Sequence, residues 1–266
     1  MAVRIISSIV GIPILLFFII SGGVFLKLAL ALISCLGMYE LYMAVSKKIK
    51  IVHFIGFMTE ILYIVFLDTN VDVLYIKIYA MLATMLILTM LVFFHTNINI
   101  HDAAVTVFGF LYVGVLLGCL YTIRTNTIVL AWVPFICAFG SDTCAYFTGT
   151  AIGKHKLTPV LSPHKSIEGA IGGVVGAALL CGIYCFGASL LGYMPSQNIP
   201  MFCVMGAVGS VFAQLGDLAA SSIKRYTNIK DYGKIMPGHG GMLDRFDSVL
   251  FTVPLVYIFM CLINFN

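Results

Sequence analysis

Apolar residues run through this 266-residue chain in long blocks, and polar residues interrupt them only briefly. The blocks fall at residues 3–20, 24–45, 51–67, 73–94, 103–121, 127–150, 167–193, 201–222 and 246–264. Each approaches or exceeds the ~17–25 residues that carry a helix across ~30 Å of hydrocarbon. None alternates with the period of two that a membrane barrel strand requires. The pattern predicts an all-α, polytopic helical membrane protein with about nine transmembrane helices. The first block follows Arg4, as a leader would, but no small-residue cleavage site with a polar continuation comes after it. It is therefore expected to be a retained span. Residues 1–100 are expected to form an N-terminal bundle and residues 101–266 a C-terminal bundle that holds the chemistry.

Composition narrows the class. The chain is 61% hydrophobic and only 10% charged, with a mean hydropathy of +1.06, whereas a soluble domain is about 45–50% apolar and 25% charged. An ordinary soluble domain is excluded. The net charge of +4 is modest, and no nucleic-acid partner is expected. Where the charges lie says more. With the N-terminus in the cytoplasm and the spans alternating, Arg4, Lys47, Lys48, Lys50, Lys154, Lys156, Lys165, Lys224, Arg225, Lys230, Lys234 and Arg245 fall on the cytoplasmic side. Only Lys27, Lys77 and Arg124 fall opposite. Positive loops stay inside, so this bias fixes the orientation and predicts a cell-membrane protein with its charged loops facing the cytoplasm.

Several residues have plain roles. The eight cysteines lie in apolar blocks without a CxxC, so they are expected to pack rather than to bind metal or form disulfides. Lys47, Lys48 and Lys50 suit anionic headgroups. Glu40 and Glu60, near span ends, are expected to be interfacial, and Asp68 and Asp72 to sit in an outer loop. His53, His95 and His101 are scattered and suggest no ligand set. Trp132 and tyrosines near span ends suit interfacial anchoring.

Two stretches concentrate the remaining polar chemistry. In 141–173, SDTCAYFTGTAIGKHKLTPVLSPHKSIEGAIGG, Asp142 lies inside a span, where an unpaired carboxylate is costly. At ~100° per residue Tyr146 and Gly149 share its side. A basic loop with Lys154, His155, Lys156, Ser162, His164 and Lys165 follows, and a helix is expected to start with Ser166 as N-cap and Glu168 in its first turn. Gly169, Gly172, Gly173 and Gly176 then form small-xxx-small pairs suited to close helix packing.

The second stretch, 210–248, holds five of the fifteen Lys+Arg and four of the eleven Asp+Glu. Drawn as a helix, Ser210, Gln214, Asp217, Ser221, Lys224 and Arg225 fall within roughly 100° of arc, while Phe212, Leu215 and Leu218 point elsewhere. A loop with Lys230, Asp231, Lys234 and Pro237-Gly238-His239-Gly240-Gly241 comes next. Its glycines let backbone N–H groups approach an anion, though it lacks the Gly-Lys-Ser/Thr ending of a Walker loop. Asp244, Arg245, Asp247 and Ser248 open the last span, with Asp244, Asp247 and Ser248 expected on one helical face. Asp217 and Asp244 thus reach the same membrane side with cations between them. Hard carboxylate oxygens suit Mg²⁺ and cations suit phosphates, which points to phosphoryl or nucleotidyl transfer. The residues alone leave open a transport site lined by paired charges. An intramembrane aspartyl protease would need a Tyr-Asp companion, which is missing.

Residues 221–248, SSIKRYTNIKDYGKIMPGHGGMLDRFDS, resemble the signature of the phosphatidate cytidylyltransferases (CDP-diacylglycerol synthases). That signature runs as Ser, two residues on Lys-Arg, then Lys-Asp, a small residue, Pro-Gly-His-Gly-Gly and Asp-Arg-x-Asp. The earlier Ser162-Pro163-His164-Lys165-Ser166-Ile167-Glu168-Gly169 is similar to the family's Ser-Pro-Lys-Lys-Thr-Trp-Glu-Gly. It departs at 164 and 167, and Thr150 stands where a basic residue is common. The resemblance implies the reaction CTP + phosphatidate → CDP-diacylglycerol + pyrophosphate. It also implies Mg²⁺, K⁺ being left open as a second ion, and a homodimer. It implies Asp217 and Asp244 as metal ligands, and phosphate contacts from Lys165, Ser221, Lys224, Arg225 and Lys230. Asp231, His239 and Asp247 are catalytic candidates, with Asp142, Glu168 and Arg245 in support. A related CTP-using lipid enzyme, such as a polyprenol kinase or an archaeal-type CDP-lipid synthase, is the nearest alternative.

Overall fold

The computed structural model describes residues 2–67, 73–159, 161–235 and 240–263. The chain is helical and apolar on its outside, with Leu28, Leu32, Leu179 and Ile183 all exposed. Among the described residues, five helices are long and apolar enough to cross a membrane: Gly23–Ser46, Ile100–Asn126, Ile128–Ile152, Ile167–Leu190 and Ser196–Tyr226. Apolar helices at Val52–Phe66, Met81–Phe93 and Val249–Ile263 are shorter. Such a surface is stable only against lipid, so this is a multi-pass helical membrane protein.

Contacts divide the chain into two compact units, Met1–Tyr121 with Asp231–Asp244, and Thr122–Lys230 with Arg245–Asn266. The first unit therefore extends beyond residue 100 and takes in a segment of the charged C-terminal stretch. Its helices are α1 (Ala2–Ser21), α2 (Gly23–Ser46), α3 (Ile51–Phe66), α4 (Val73–Phe93) and α5 (Ile100–Gly109). A π-helical turn, Phe110–Val115, joins α5 to α6 (Leu116–Asn126). Gly22 and Gly23 separate α1 from α2 with φ of 62° and 47°, a backbone region that a side chain would resist. At the start of α5, Asn99 Oδ1 accepts from the Asp102 N–H at 2.9 Å and Asp102 Oδ2 accepts from the Asn99 N–H at 3.1 Å. Lys50 Nζ sits 2.6 Å from the same Asp102 oxygen. Lys50 thus ties α3 to α5, which corrects the headgroup role expected for it. Deeper in, Met38, Leu41 and Tyr42 of α2 are fully buried, and the Tyr42 hydroxyl donates to the Thr106 carbonyl at 3.0 Å.

The second unit is built on α7 (Ile128–Ile152), α8 (Ile167–Leu190), α9 (Ile199–Tyr226) and α11 (Val249–Ile263). Glycine lets the first three approach closely. A Cβ on Gly169 would stand 2.8 Å from the Ala145 carbonyl, and one on Gly173 3.0 Å from Ser141 Oγ. One on Gly206 would stand 2.5 Å from the Ala177 carbonyl. The small-residue pairs of α8 thus serve helix packing, as the spacing predicts. All eight cysteines are free, and Cys137, Cys181 and Cys185 are buried core residues.

Two expectations need correction. The basic segment after α7 is not an irregular loop. Strands β1 (Lys156–Thr158) and β2 (Ser162–Ser166) form an antiparallel hairpin with Lys156 opposite Ser166. Nor is the last span one helix from its start. A single turn, α10 (Leu243–Phe246), ends before Asp247 and Ser248, and α11 begins at Val249. Asp244, Asp247 and Ser248 therefore do not share one helical face. The Asp247 carboxylate accepts from the Ser248 N–H at 2.7 Å, a local bond that competes with continuing the helix.

Candidate active site

The polar stripe of α9 is present as its periodicity predicts. Ser210 is fully buried, Gln214, Asp217, Ser221 and Lys224 are half-buried, and Phe212 and Leu215 face outward, but Leu218 is half-buried like the stripe and Arg225 is exposed. Three bonds fix its inner end. Gln214 Nε2 donates to the Ala170 carbonyl at 3.1 Å and to Ser210 Oγ at 3.2 Å, and Ser210 Oγ lies 2.6 Å from Ser141 Oγ. One turn further on, Asp217 forms an ion pair with Lys165 at the end of β2.

That pair lies in the second unit, which also contains a cavity of about 490 Å³. Asp142, Tyr146, Ser162, His164, Lys165 and Gln214 are among its lining residues. Asp142 and Tyr146 do share a side, as expected. Of the departures from the family motif, Thr150 and His164 both line the cavity, while Ile167 starts α8 and is 43% exposed. Thr150 spends its hydroxyl on the Tyr146 carbonyl at 2.9 Å.

Glu168 organises the cavity's hairpin. Its carboxylate accepts from the Lys154 N–H at 3.1 Å and the His155 N–H at 3.2 Å, and it lies 2.7 Å from His155 Nδ1. Ser166 caps α8 as expected, its Oγ accepting from the Gly169 N–H at 3.1 Å. The Ile167 N–H donates to the His155 carbonyl at 2.9 Å. These bonds hold Lys165 at the junction of strand and helix.

Electrostatically, the second unit gathers three carboxylates. Asp142, Asp217 and Asp247 act on one another, and Lys165, Lys224 and Arg245 are the facing cations. Asp247 is only 8% exposed, whereas Arg225, Lys230 and Arg245 are exposed. Among the described residues, no group of three or more His, Cys, Asp or Glu side chains could hold a metal by itself. Mg²⁺ asks for less, since it keeps several waters and takes one or two carboxylates plus phosphate oxygens. The hard oxygen donors here fit that mode.

The first unit holds the rest of the predicted set. Asp244 Oδ2 accepts from the Tyr232 N–H at 2.8 Å and the Gly241 N–H at 3.0 Å. Gly240 has a φ of 92°, a backbone region that favours glycine. Asp231 is exposed. His239 lies outside the described residues.

Two acidic side chains depart from expectation. Glu40 and Glu60 are not interfacial: they are 2% and 0% exposed. Glu40 accepts from the Met242 N–H at 3.0 Å and the Leu243 N–H at 2.8 Å. The available signal was an acidic residue inside an apolar block, which marks a functional position by default. Gln214 was visible as part of the stripe, but its place on the cavity wall was not.

Comparison with known proteins shows the family. The chain is 34% identical to a phosphatidate cytidylyltransferase of Staphylococcus epidermidis over 264 residues, covering 98% of this chain and 99% of that one. It is 33% identical to proteins of the same name from Staphylococcus haemolyticus, over 264 residues, and Staphylococcus aureus, over 266. Each of those alignments also covers 98% of this chain and 99% of the relative. The sequence profile of the cytidylyltransferase family matches residues 2–263, from the first helix to the last, and the chain belongs to that family.

Proposed function

We propose that this protein transfers the cytidylyl group of CTP to phosphatidate, forming CDP-diacylglycerol and pyrophosphate for phospholipid synthesis. The observation that carries this reading is the Lys165–Asp217 pair in a chain that matches the cytidylyltransferase family from end to end. In the reaction, a phosphate oxygen of phosphatidate attacks the α-phosphorus of CTP. A P–O bond forms to the lipid phosphate, and the bond to the β-phosphate oxygen breaks, releasing pyrophosphate. The attacking phosphate is already an anion at neutral pH, so no strong general base is required. Catalysis is then mostly positioning and charge stabilisation.

Each group has a part in that scheme. Lys165, Ser221, Lys224, Arg225 and Lys230 bind phosphate oxygens. Asp217 and Asp244 would hold Mg²⁺, which when bound draws the two anionic substrates together and offsets charge on the leaving pyrophosphate. Asp142 adds negative charge beside Asp217, which Lys165 and Arg245 offset, and Glu168 orients Lys165 through the hairpin. Asp231, His239 and Asp247 complete the set as catalytic or orienting groups. The protein crosses the cell membrane about nine times, works as a homodimer and opens its site to the cytoplasm, where CTP is made.

Membranes containing the protein, supplied with CTP, phosphatidate and Mg²⁺, should release pyrophosphate and yield a CDP-lipid carrying the cytidine label. Transfer of the γ-phosphate alone to a lipid alcohol would replace this reading with that of a lipid kinase. Solute uptake without pyrophosphate release would replace it with transport.

A further inference from the structure

The Glu40 carboxylate stands far from the charged stretch in sequence, yet it meets the backbone of that stretch directly. It accepts from two consecutive N–H groups, Met242 at 3.0 Å and Leu243 at 2.8 Å. These lie at the entry to α10, the turn that carries Asp244. Consecutive N–H groups at the start of a helical turn have no partner within it, and a carboxylate satisfies both. Glu40 itself is 2% exposed, so water offers it little alternative. The surroundings are shaped to it. A Cβ on Gly241 would stand 2.5 Å from its Oε2, and one on Gly233 2.8 Å from its Cδ. Glycine at both positions lets the chain close around the carboxylate from two sides. Within the same segment Asp244 Oδ2 holds the N–H groups of Tyr232 and Gly241. Two carboxylates thus hold the backbone at Tyr232 and at 241–243, Glu40 from α2 and Asp244 from α10.

We propose that Glu40 is a positioning residue of the reaction: it fixes residues 241–243 and thereby the place from which Asp244 acts. The inference rests on the role given to Asp244 above. A carboxylate that binds an ion must be held to a fraction of an ångström, and small misplacements cost on the order of a hundredfold in rate. Glu40 never touches substrate. It acts through the backbone of α10.

Hydrogen–deuterium exchange on the full-length protein in detergent tests the clamp, with wild type, Glu40→Gln and Glu40→Ala compared on peptides covering 240–246. Exchange at these positions should accelerate about tenfold or more in Glu40→Ala and less in Glu40→Gln, which keeps one acceptor. Peptides from α7 and α9 should exchange as in wild type. In parallel, the Mg²⁺ concentration giving half-maximal pyrophosphate release should rise in Glu40→Ala, and kcat should fall more than KM for CTP rises. A general loss of folded protein would lower the yield of active enzyme without moving that Mg²⁺ midpoint. Gly241→Ala, which crowds the carboxylate from the other side, should reproduce both effects. Unchanged exchange at 240–246 in Glu40→Ala, or faster exchange with an unmoved Mg²⁺ midpoint, overturns the inference. Full activity in Asp244→Asn would instead overturn the role of Asp244, and with it the catalytic half of the inference, while leaving the exchange result in place.

Discussion

Lys165 has two duties, and they pull in the same direction. Before substrate arrives it is the counter-ion of Asp217, and in the proposed reaction it meets a phosphate. Removing it leaves Asp217 and Asp142 facing one another with less compensation. Breaking one side of a shielded pair costs more than the pair itself contributes. Lys165→Ala should therefore lower kcat on the order of 10²–10³-fold, measured as pyrophosphate release by purified protein. Lys165→Arg should not restore the rate, because a planar fork does not replace a compact ammonium at a packed strand–helix junction. Asp217→Asn should be at least as severe while the protein stays folded in detergent, and near-normal turnover would remove Asp217 from the site. Glu40 marks the limit of what single residues reveal in sequence. Its polarity inside an apolar block was visible, but its partners lie roughly two hundred positions away. No local pattern encodes that.

Helices were legible where periodicity is strong. The α9 stripe follows from helical geometry alone, and the buried Ser210 and outward Leu215 agree with it. The α8 glycines were legible too, since only close packing asks for that spacing. The hairpin was not. Its sequence mixes charges with Pro159 and Pro163 and shows no alternation, and its pairing depends on Glu168 and Ile167 holding His155. The break at Asp247 was hidden because a polar pair beside an apolar run reads as the first turn of the helix. Packing gives a direct test at this scale. Gly206→Ala forces a methyl against the Ala177 backbone, which has no side-chain freedom to yield. It should destabilise the protein by about 1–3 kcal/mol. Gly187→Ala meets nothing within 4 Å and, inside α8, should be neutral or stabilising by up to about 1 kcal/mol. Thermal unfolding in one detergent, wild type beside both variants, decides the comparison.

For the molecule as a whole, the arrangement of charge predicts its orientation. Twelve of the fifteen Lys and Arg fall on one side when the spans alternate from a cytoplasmic N-terminus. A bacterial host expressing alkaline phosphatase fused after Lys48 should show no phosphatase activity, because that enzyme needs an oxidising compartment for its disulfides. Fusion after Asn126, beyond the end of the helix that contains Arg124, should be active. The reverse result would invert the topology and put the site where CTP is absent.

The two-stranded hairpin at 156–166 has a further consequence for depth. With only one partner each, its strands leave backbone groups on their outer edges, and hydrocarbon cannot satisfy them. The hairpin therefore works as a waterline on the second unit. Ser162, His164 and Lys165 stand at that line, whereas Asp142, Ala145 and Gln214 belong to helices that continue into the apolar layer. One chamber thus runs from a wet rim to polar groups, Asp142 and Gln214, held within the spans.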